Sequence, residues 1–264
     1  MSSKDDFLNL KGRINHSVCR WCYDQIPLDQ LCTAAKKMGI KSIDLVEPKD
    51  FEVLHKHHMD CGMVYGLSNP YGIEKCFNRE SHHKDLIDIY EELIPIVANA
   101  GFRQVICFSG NSGGQPDREG VDICAAGIRP IMKTAEKHSV NLVIELLNSK
   151  VDHPDYQCDH TDWAVSLCKK INHPNFKILY DIYHMQIMEG DIITTIKYNY
   201  HYISHYHTGG VPGRNEIDET QELYYPAIMK AIVDTGFNGF VAQEFIPKNN
   251  PLESLQKAIL LCDI

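Results

Sequence analysis

The feature that most constrains the fold of this chain is the alternation of short apolar segments with longer amphipathic ones. Eight apolar segments are rich in β-branched and aromatic residues, as the buried strands of a parallel sheet are. They span positions 13–18, 42–46, 63–68, 104–109, 141–146, 176–181, 201–207 and 239–245. Helical patterns lie between them, with Asp or Thr at several starts and Gly at several ends, and include positions 27–39, 83–101, 121–138, 161–171, 190–199 and 224–236.

An eightfold strand and helix repeat predicts a closed barrel. Eight repeats in 264 residues average about 33 residues each, which suits one strand, one helix and their connections. A (β/α)₈ TIM barrel of roughly 250 residues closes such a repeat. The composition, 44% hydrophobic and 23% charged, is typical of a compact globular protein. We therefore predict an α/β protein with a single TIM barrel domain over positions 1–264.

Charge and hydropathy argue against several kinds of partner. The 26 basic and 35 acidic residues give a net charge of −9, which disfavours binding to nucleic acid or to an anionic membrane. No apolar run approaches the roughly 18 residues that span a bilayer, and the first residues lack the apolar stretch of a signal peptide. The ten cysteines are scattered, as reduced thiols are. We expect a soluble cytoplasmic protein.

The last four predicted strands end in residues that are common metal ligands. In a TIM barrel the catalytic groups lie at the carboxyl ends of the strands, where the loops converge on the axis. These ends carry Glu145, Asp181, His207 and Glu244. Because side chains alternate along a strand, a strand that turns His207 inward also turns His205 inward, which is compatible with one shared interior layer.

A bound cation would explain three carboxylates at one height of the barrel. Carboxylates within a few ångströms of one another repel and raise each other's pKa unless a cation holds them ionised. Three oxygen donors and one imidazole, with coordination positions left over, suit one divalent ion such as Mn²⁺ or Mg²⁺, with Co²⁺ and Zn²⁺ as alternatives. We predict that the four strand-end residues form this metal site.

Five stretches of the second half carry a family resemblance. They are LVIELLN, ILYDIYHMQIMEGD, HYHTGGVPGRNE, ELYYP and GFVAQEFIP, in this order. With them the chain resembles the xylose isomerase-like TIM barrel superfamily, and within it most resembles hydroxypyruvate isomerase and the related ketose 3-epimerases. The resemblance implies that Glu145 and Glu244 bind the metal and also form the acid/base pair. It further implies that His184 and Arg214 contact the substrate.

Each of the two implied substrate contacts also has a structural interpretation. Arg214 lies in the Gly- and Pro-bounded stretch GGVPGR, where it either holds a substrate oxygen or carboxylate or is a solvated loop residue. His184 either contacts the substrate or hydrogen-bonds a ligand carboxylate and so orients it.

The first half of the chain offers weaker candidates. The resemblance weakens at HSVCRWCYDQIP, where Trp21 either forms an apolar wall for the substrate or fills the barrel mouth. Cys19 and Cys22 form a C-x-x-C, but no second pair follows at zinc-finger spacing, so we expect ordinary buried thiols. Asp44 and Glu47 lie near the end of the second predicted strand, where they either reach the pocket or, as we expect, are solvated or cap a helix.

The predicted site favours an isomerase or an epimerase. An α-hydroxy carbonyl compound can chelate the metal, which stabilises the enediolate that forms when a neighbouring C–H proton leaves. A glutamate takes this proton, and a glutamate returns it at the adjacent carbon or at the opposite face. The leading hypothesis is a hydroxypyruvate isomerase-like enzyme that converts hydroxypyruvate to tartronate semialdehyde, and the alternative is a ketose 3-epimerase.

Three further hypotheses stay open. A dehydratase of the same superfamily, acting on an inosose or a ketoacid, would use the same ligands and base. A phosphodiesterase similar to the barrel endonucleases that cut at abasic sites would need several zinc ions and a basic surface, which the acidic charge balance opposes. A non-catalytic sugar-binding protein would have no need of four ligands. Barrels of this type often associate, so a homo-oligomer is compatible with the sequence.

Overall fold

The computed structural model describes residues 7–66 and 72–264, in which seven parallel strands form one curled sheet. The strands are β1 (Asn15–Cys19), β2 (Ser42–Asp44), β3 (Gln104–Cys107), β4 (Asn141–Glu145), β5 (Phe176–Asp181), β6 (Ile203–Thr208) and β7 (Phe240–Gln243). Their order is β2-β1-β7-β6-β5-β4-β3, so consecutive strands are neighbours in the sheet except β2 and β3, which lie at its two ends, and the first strand pairs with the last. The parallel (β/α)₈ TIM barrel predicted from the sequence is confirmed.

The strand predicted over 63–68 does not form as a separate strand, and that prediction is wrong. Among its described positions, Val64 alone makes parallel bridges, to Val46 beyond β2 and to Val105 of β3, and so closes the barrel. Positions 67 and 68 lie outside the described residues. Val64 also donates a backbone hydrogen bond to the carbonyl of Gln104 and accepts one from the N–H of Ile106, so the pairing with β3 is present but short.

Nine α-helices and two 3₁₀ turns lie within the described ranges. The helices are α1 (Leu28–Lys37), α2 (Phe51–Lys56), α3 (Glu80–Asn99), α4 (Asp117–His138), α5 (Thr161–Ile171), α6 (Ile182–Met188), α7 (Ile192–Asn199), α8 (Tyr225–Asp234) and α9 (Pro251–Cys262). The 3₁₀ turns span Arg20–Tyr23 and Pro48–Asp50. All six helical patterns quoted from the sequence correspond to helices, although α3 and α4 begin three and four residues earlier than predicted.

The connection between β5 and β6 holds two helices instead of one. Gly190 and Asp191 have φ angles of +66° and +42°, in the left-handed region, and they separate α6 from α7. The side chain of Asp181 accepts a hydrogen bond from the backbone N–H of His184 and caps α6 at its start. The residue that ends β5 therefore also fixes the first turn of the helix after it.

The core consists of the barrel interior and the layer between strands and helices. All ten cysteines are buried and none forms a disulfide, and burial raises the pKa of both Cys19 and Cys22. The expectation of ordinary buried thiols agrees with this placement. No helix in the described part of the chain is long and apolar enough to cross a membrane.

Candidate metal centre and active site

The structure brings the four predicted ligands together at the carboxyl ends of β4 to β7. One ligand atom from each of Glu145, Asp181, His207 and Glu244 lies within 4.8 Å of the others. His207 Nδ1 is 2.9 Å from a carboxylate oxygen of Glu244 and 3.4 Å from one of Glu145. The parallel register sets this geometry, since Asp181 and His207 are directly paired residues of β5 and β6.

Burial makes this cluster electrostatically unusual. Asp181 is fully buried, and Glu145 and Glu244 are 4% and 3% exposed. Burial raises the pKa of Glu145 and raises that of Asp181 well above its usual range. Burial alone would also raise the pKa of Glu244, but Arg214 and His207 hold it well below its usual range. Burial therefore outweighs the charged neighbours of two of the three carboxylates, since His207 Nδ1 lies 3.4 Å from Glu145 and Arg214 Nη2 lies 3.6 Å from Asp181.

The donor set fits a divalent cation. Glu145 Oε1 and Asp181 Oδ2 are buried oxygens without a hydrogen-bond partner among the described residues, as expected of atoms that face a bound ion. Three carboxylates and one imidazole are the ligands of Mn²⁺, Mg²⁺ or Co²⁺ rather than of a closed structural zinc site. Glu145, Asp181, His207 and Glu244 would hold the ion.

Arg214 lies against this cluster rather than in solvent. Its Nη2 is 2.7 Å from Oε2 of Glu244 and 3.6 Å from Oδ2 of Asp181. The guanidinium carbon lies 5.1 Å from the centre of the Trp21 ring and 5.3 Å from that of the Tyr183 ring. The side chain is 13% exposed. A solvated loop arginine is therefore the wrong interpretation, and its predicted contact with the substrate stays a prediction.

Trp21 makes a polar contact that neither sequence interpretation included. Its Nε1–H donates a hydrogen bond of 2.7 Å to Oε1 of Glu244. The ring is 38% exposed and lies on the 3₁₀ turn that follows β1. It lines the cavity and also holds a candidate metal ligand.

His184 is fully buried behind Asp181. Its Nδ1 accepts a hydrogen bond of 3.1 Å from the backbone N–H of Asn148 and lies 2.7 Å from the side-chain amide nitrogen of that residue. Burial lowers its pKa well below the usual range, so the ring is neutral and carries its proton on Nε2. Nε2 is 3.7 Å from Oδ2 of Asp181. This placement suits a residue that orients Asp181.

Asp44 is the polar residue that the sequence analysis placed wrongly. It is fully buried, its Oδ1 accepts hydrogen bonds from Ser17 and Ser42, and its Oδ2 is 2.5 Å from His205 Nε2. It ends β2 just as Asp181 ends β5, so strand-end reasoning applied to β2 would have found it. Glu47 does lie at the pocket rim, where it pairs with Lys49 at 2.8 Å.

A cavity of about 690 Å³ opens over the cluster. Its wall combines the polar side chains of the site with apolar ones such as Phe108 and Leu147, both buried. Glu145, Glu244 and Arg214 face it directly. Such a concave site, with few polar groups on an otherwise apolar wall, is typical of small-molecule binding.

Comparison with known proteins places the chain in a family. The family model described as xylose isomerase-like TIM barrel matches residues 32–262. The chain belongs to this family. The resemblance drawn from the five sequence stretches is thereby confirmed.

Two curated relatives have names that refer to reactions. A hydroxypyruvate isomerase of Escherichia coli strain K12 is 25% identical over 226 residues, which cover 81% of this chain and 86% of the relative. A 2-oxo-tetronate isomerase of Cupriavidus necator is 33% identical over 114 residues, 43% of each chain. The chain spans less than half the length of most of the curated relatives it matches.

Solved structures agree on the fold. An AP endonuclease of family 2 from Brucella melitensis has a TM-score of 0.83 at 22% identity, covering 92% of this chain and 97% of that one. A D-psicose 3-epimerase from Clostridium cellulolyticum, solved with D-tagatose, has a TM-score of 0.71 at 19% identity, covering 93% of this chain and 90% of that one. At these identities the likeness concerns the barrel alone.

Proposed function

We propose that this protein is a metal-dependent isomerase of a small α-hydroxy carbonyl compound, with hydroxypyruvate as the substrate and tartronate semialdehyde as the product. The observation that carries the proposal is the cluster of three buried carboxylates and one imidazole at the floor of the cavity. The names of the Escherichia coli and Cupriavidus necator relatives support an isomerase of a small keto acid.

Each part of the site has a separate role in the proposed isomerisation. A divalent cation held by the four ligands would polarise the substrate carbonyl and make the neighbouring C–H more acidic. Arg214 binds a substrate oxygen or carboxylate and sets its orientation. Glu145, whose Oε1 has no partner in the described structure, accepts the proton from carbon. The apolar wall that includes Phe108 and Leu147 keeps water from the reacting carbons.

A ketose 3-epimerase is the second candidate. Glu145 and Glu244 approach His207 Nδ1 from different strands, at 3.4 and 2.9 Å, so two carboxylates could flank one substrate. A cavity of about 690 Å³ also has room for a ketohexose. A dehydratase would use the same groups and is recognised by loss of water from its product. Cytoplasmic location, the absence of nucleic-acid partners and a homo-oligomeric state remain predictions of the sequence.

A turnover assay decides between these reactions. Purified protein with added Mn²⁺ is incubated with hydroxypyruvate, ketopentoses, ketohexoses and inososes, and the products are identified by NMR. We expect conversion of hydroxypyruvate to tartronate semialdehyde. Conversion of a ketose to its 3-epimer with no action on hydroxypyruvate would establish the second candidate, and absence of any turnover would refute both.

A further inference from the structure

The cavity above the candidate metal centre has a histidine on its wall to which the proposed reaction gives no role. His153 lies in the loop after β4 and lines the cavity together with Arg214. The ring is half-buried and packs against the rings of His184 and Tyr156, with centroids 5.5 and 6.5 Å apart. Neither ring nitrogen of His153 hydrogen-bonds to a residue within 7–66 and 72–264. These nitrogens are therefore available to a ligand in the cavity.

Hydrogen bonds hold the loop that carries His153. The side-chain oxygen of Asn148 accepts from the backbone N–H groups of Val151 and Asp152, both at 2.9 Å. The backbone N–H of His153 donates to the carbonyl of Asn148 at 3.1 Å, and its carbonyl accepts from the N–H of Tyr156 at 3.0 Å. The imidazole is thus presented from a fixed position, as a residue that selects a ligand must be.

Arg214 offers a second donor on the same wall. Its Nη2 donates to Glu244 Oε2 at 2.7 Å and its Nε to the Glu244 carbonyl at 3.4 Å, whereas Nη1 makes no hydrogen bond in the described part of the chain. A row of ring contacts joins Arg214 to His153. The guanidinium carbon lies 5.3 Å from the Tyr183 ring, that ring lies 5.1 Å from the His184 ring, and the latter lies 5.5 Å from His153.

His153 is a neutral donor. Burial lowers its pKa and Arg214 lowers it further, while the weaker effects of Asp152 and Glu244 act in the opposite direction. Near pH 7 the ring therefore carries one N–H and no charge. It can donate to an anion that Arg214 already attracts without adding a second buried charge to the site.

The other two cations on the cavity wall are engaged at its rim. Arg20 Nη1 donates to the carbonyl of Tyr23 at 2.7 Å, and Lys49 pairs with Glu47 at 2.8 Å. Arg214 and His153 are thus the two nitrogen donors of the wall that still have N–H groups to offer a ligand beside the metal cluster. Two convergent donors, one of them a guanidinium, suit a carboxylate.

We infer that His153 is a specificity-determining residue that, together with Arg214, binds the carboxylate of a small keto acid substrate. This inference rests on the proposed function and deepens it. A carboxylate has two oxygens, one for each donor, and hydrogen bonds between charged partners are stronger than neutral ones. A neutral ketose presents a hydroxyl group in place of the carboxylate and gains less. The pair therefore selects keto acids over ketoses.

The role of His153 can be tested without turnover. Protein loaded with Mn²⁺ is titrated with glycerate, an unreactive anion of the same length as hydroxypyruvate, and with glycerol, in which a hydroxymethyl group replaces the carboxylate. His153→Phe keeps the ring that packs against His184 and Tyr156 and removes both nitrogens. We expect its dissociation constant for glycerate, measured by calorimetry, to rise roughly 10- to 150-fold, the loss expected for a hydrogen bond to a charged group. Its affinity for Mn²⁺ should stay at the wild-type level.

Three further variants serve as controls. Lys49→Met removes a cavity cation that is paired at the rim, and it should bind glycerate as the wild type does. His153→Gln and His153→Asn carry a neutral N–H donor near the positions of Nε2 and Nδ1, and one of them should recover most of the affinity. The inference is overturned by wild-type affinity in His153→Phe, by an equal loss in Lys49→Met, or by recovery in neither donor variant. Wild-type protein that binds glycerate no better than glycerol would overturn it as well.

Kinetics separate this inference from the proposed function. In His153→Phe the KM for hydroxypyruvate should rise by the factor found for glycerate while kcat stays near the wild-type value, because a contact made equally in the ground state and the transition state changes KM alone. A fall in kcat at unchanged KM would contradict the specificity role. If the wild type does not turn over hydroxypyruvate, the proposed function fails, and the glycerate titration still decides the role of His153.

Discussion

The two halves of the barrel bury carboxylates in opposite ways. In the half formed by β4 to β7, Asp181 is fully buried, and Arg214 Nη2 and His184 Nε2 lie 3.6 and 3.7 Å from its Oδ2. In the half formed by β1 to β3, Asp44 is equally buried, but Ser17 and Ser42 donate to one oxygen and His205 lies 2.5 Å from the other. Because a buried charge is costly unless something compensates it, the first carboxylate suits a cation site and the second a structural role.

The same substitution, Asp to Asn, made at Asp44 and at Asp181 tests the difference between the two halves most strongly. Asp44→Asn removes a charged acceptor from two buried hydroxyls and an imidazole, and we expect it to lower the unfolding free energy by about 3–5 kcal/mol. Asp181→Asn in metal-free protein removes a charge whose cationic neighbour, Arg214, lies closer to Glu244, and it keeps the oxygen that caps α6. We expect a change within about 1 kcal/mol, or a gain in stability.

Urea denaturation of both variants in the presence of a chelator measures these changes. Asp60→Asn serves as the control, since this exposed aspartate bridges Ser42 of the same strand and its side chain accepts a hydrogen bond from the N–H of Cys61. It should change stability by much less than Asp44→Asn. Equal losses at Asp44 and Asp181 would remove the distinction between the two halves.

A second prediction concerns a buried histidine of the first half. His16 on β1 is 1% exposed, neither ring nitrogen has a hydrogen-bond partner among the described residues, and burial lowers its pKa to about 4. Its nearest charges, Asp263 and Lys41, act in opposite directions. In the unfolded chain a histidine titrates near 6.5. As the pH falls from about 6.5 to 4, the unfolded state takes up a proton that the folded state does not.

The stability of the protein should therefore fall by about 3 kcal/mol across this range on account of His16, and level off for this group below pH 4. The measurement is the difference in pH dependence of unfolding free energy between the wild type and His16→Gln, which cancels the other titrating groups. Parallel curves for the two proteins would show that His16 titrates normally in the fold. In that case Asp44, and not His16, would be the buried polar residue of the first half on which stability depends.

A smaller effect is expected from the second half when Arg214 is replaced. Arg214→Ala removes the donor that we assign to the substrate, and hydrogen bonds to charged groups contribute about 1.5–3 kcal/mol. Turnover should therefore fall roughly 10- to 150-fold, while Mn²⁺ content stays at the wild-type level. Steady-state kinetics and elemental analysis of the same preparation check both statements. Wild-type kinetics on a turned-over substrate would leave Arg214 with a structural role only.

The same contrast explains what the sequence could predict. In the second half each candidate ligand lies within one residue of the end of its strand, so strand ends identified in the sequence placed Glu145, Asp181, His207 and Glu244 together at one end of the barrel. In the first half the signal is weaker. The predicted strand at 63–68 is reduced to one bridging residue at Val64. β2 ends on Asp44, but the strand predicted there continues to position 46, so Asp44 did not stand at the predicted end.

Contacts between residues that lie far apart in the chain could not be predicted from the sequence. The hydrogen bond from Trp21 to Glu244 joins residues 223 positions apart, and it depends on the 3₁₀ turn after β1. The contact of Arg214 with two aromatic rings likewise requires the loop after β6 to fold back over the pocket. Periodicity reports which face of an element is buried, but it does not report which loop residues meet there.

The metal content of the wild type and of Asp181→Ala tests the central claim most directly. The account predicts about one divalent ion per wild-type chain after dialysis against Mn²⁺ and none in Asp181→Ala, because removing one of the four donors opens a buried site whose remaining ligands cannot hold the ion. Elemental analysis measures both preparations, with circular dichroism as the check on folding. Equal metal content in the folded variant and the wild type would contradict the proposed site.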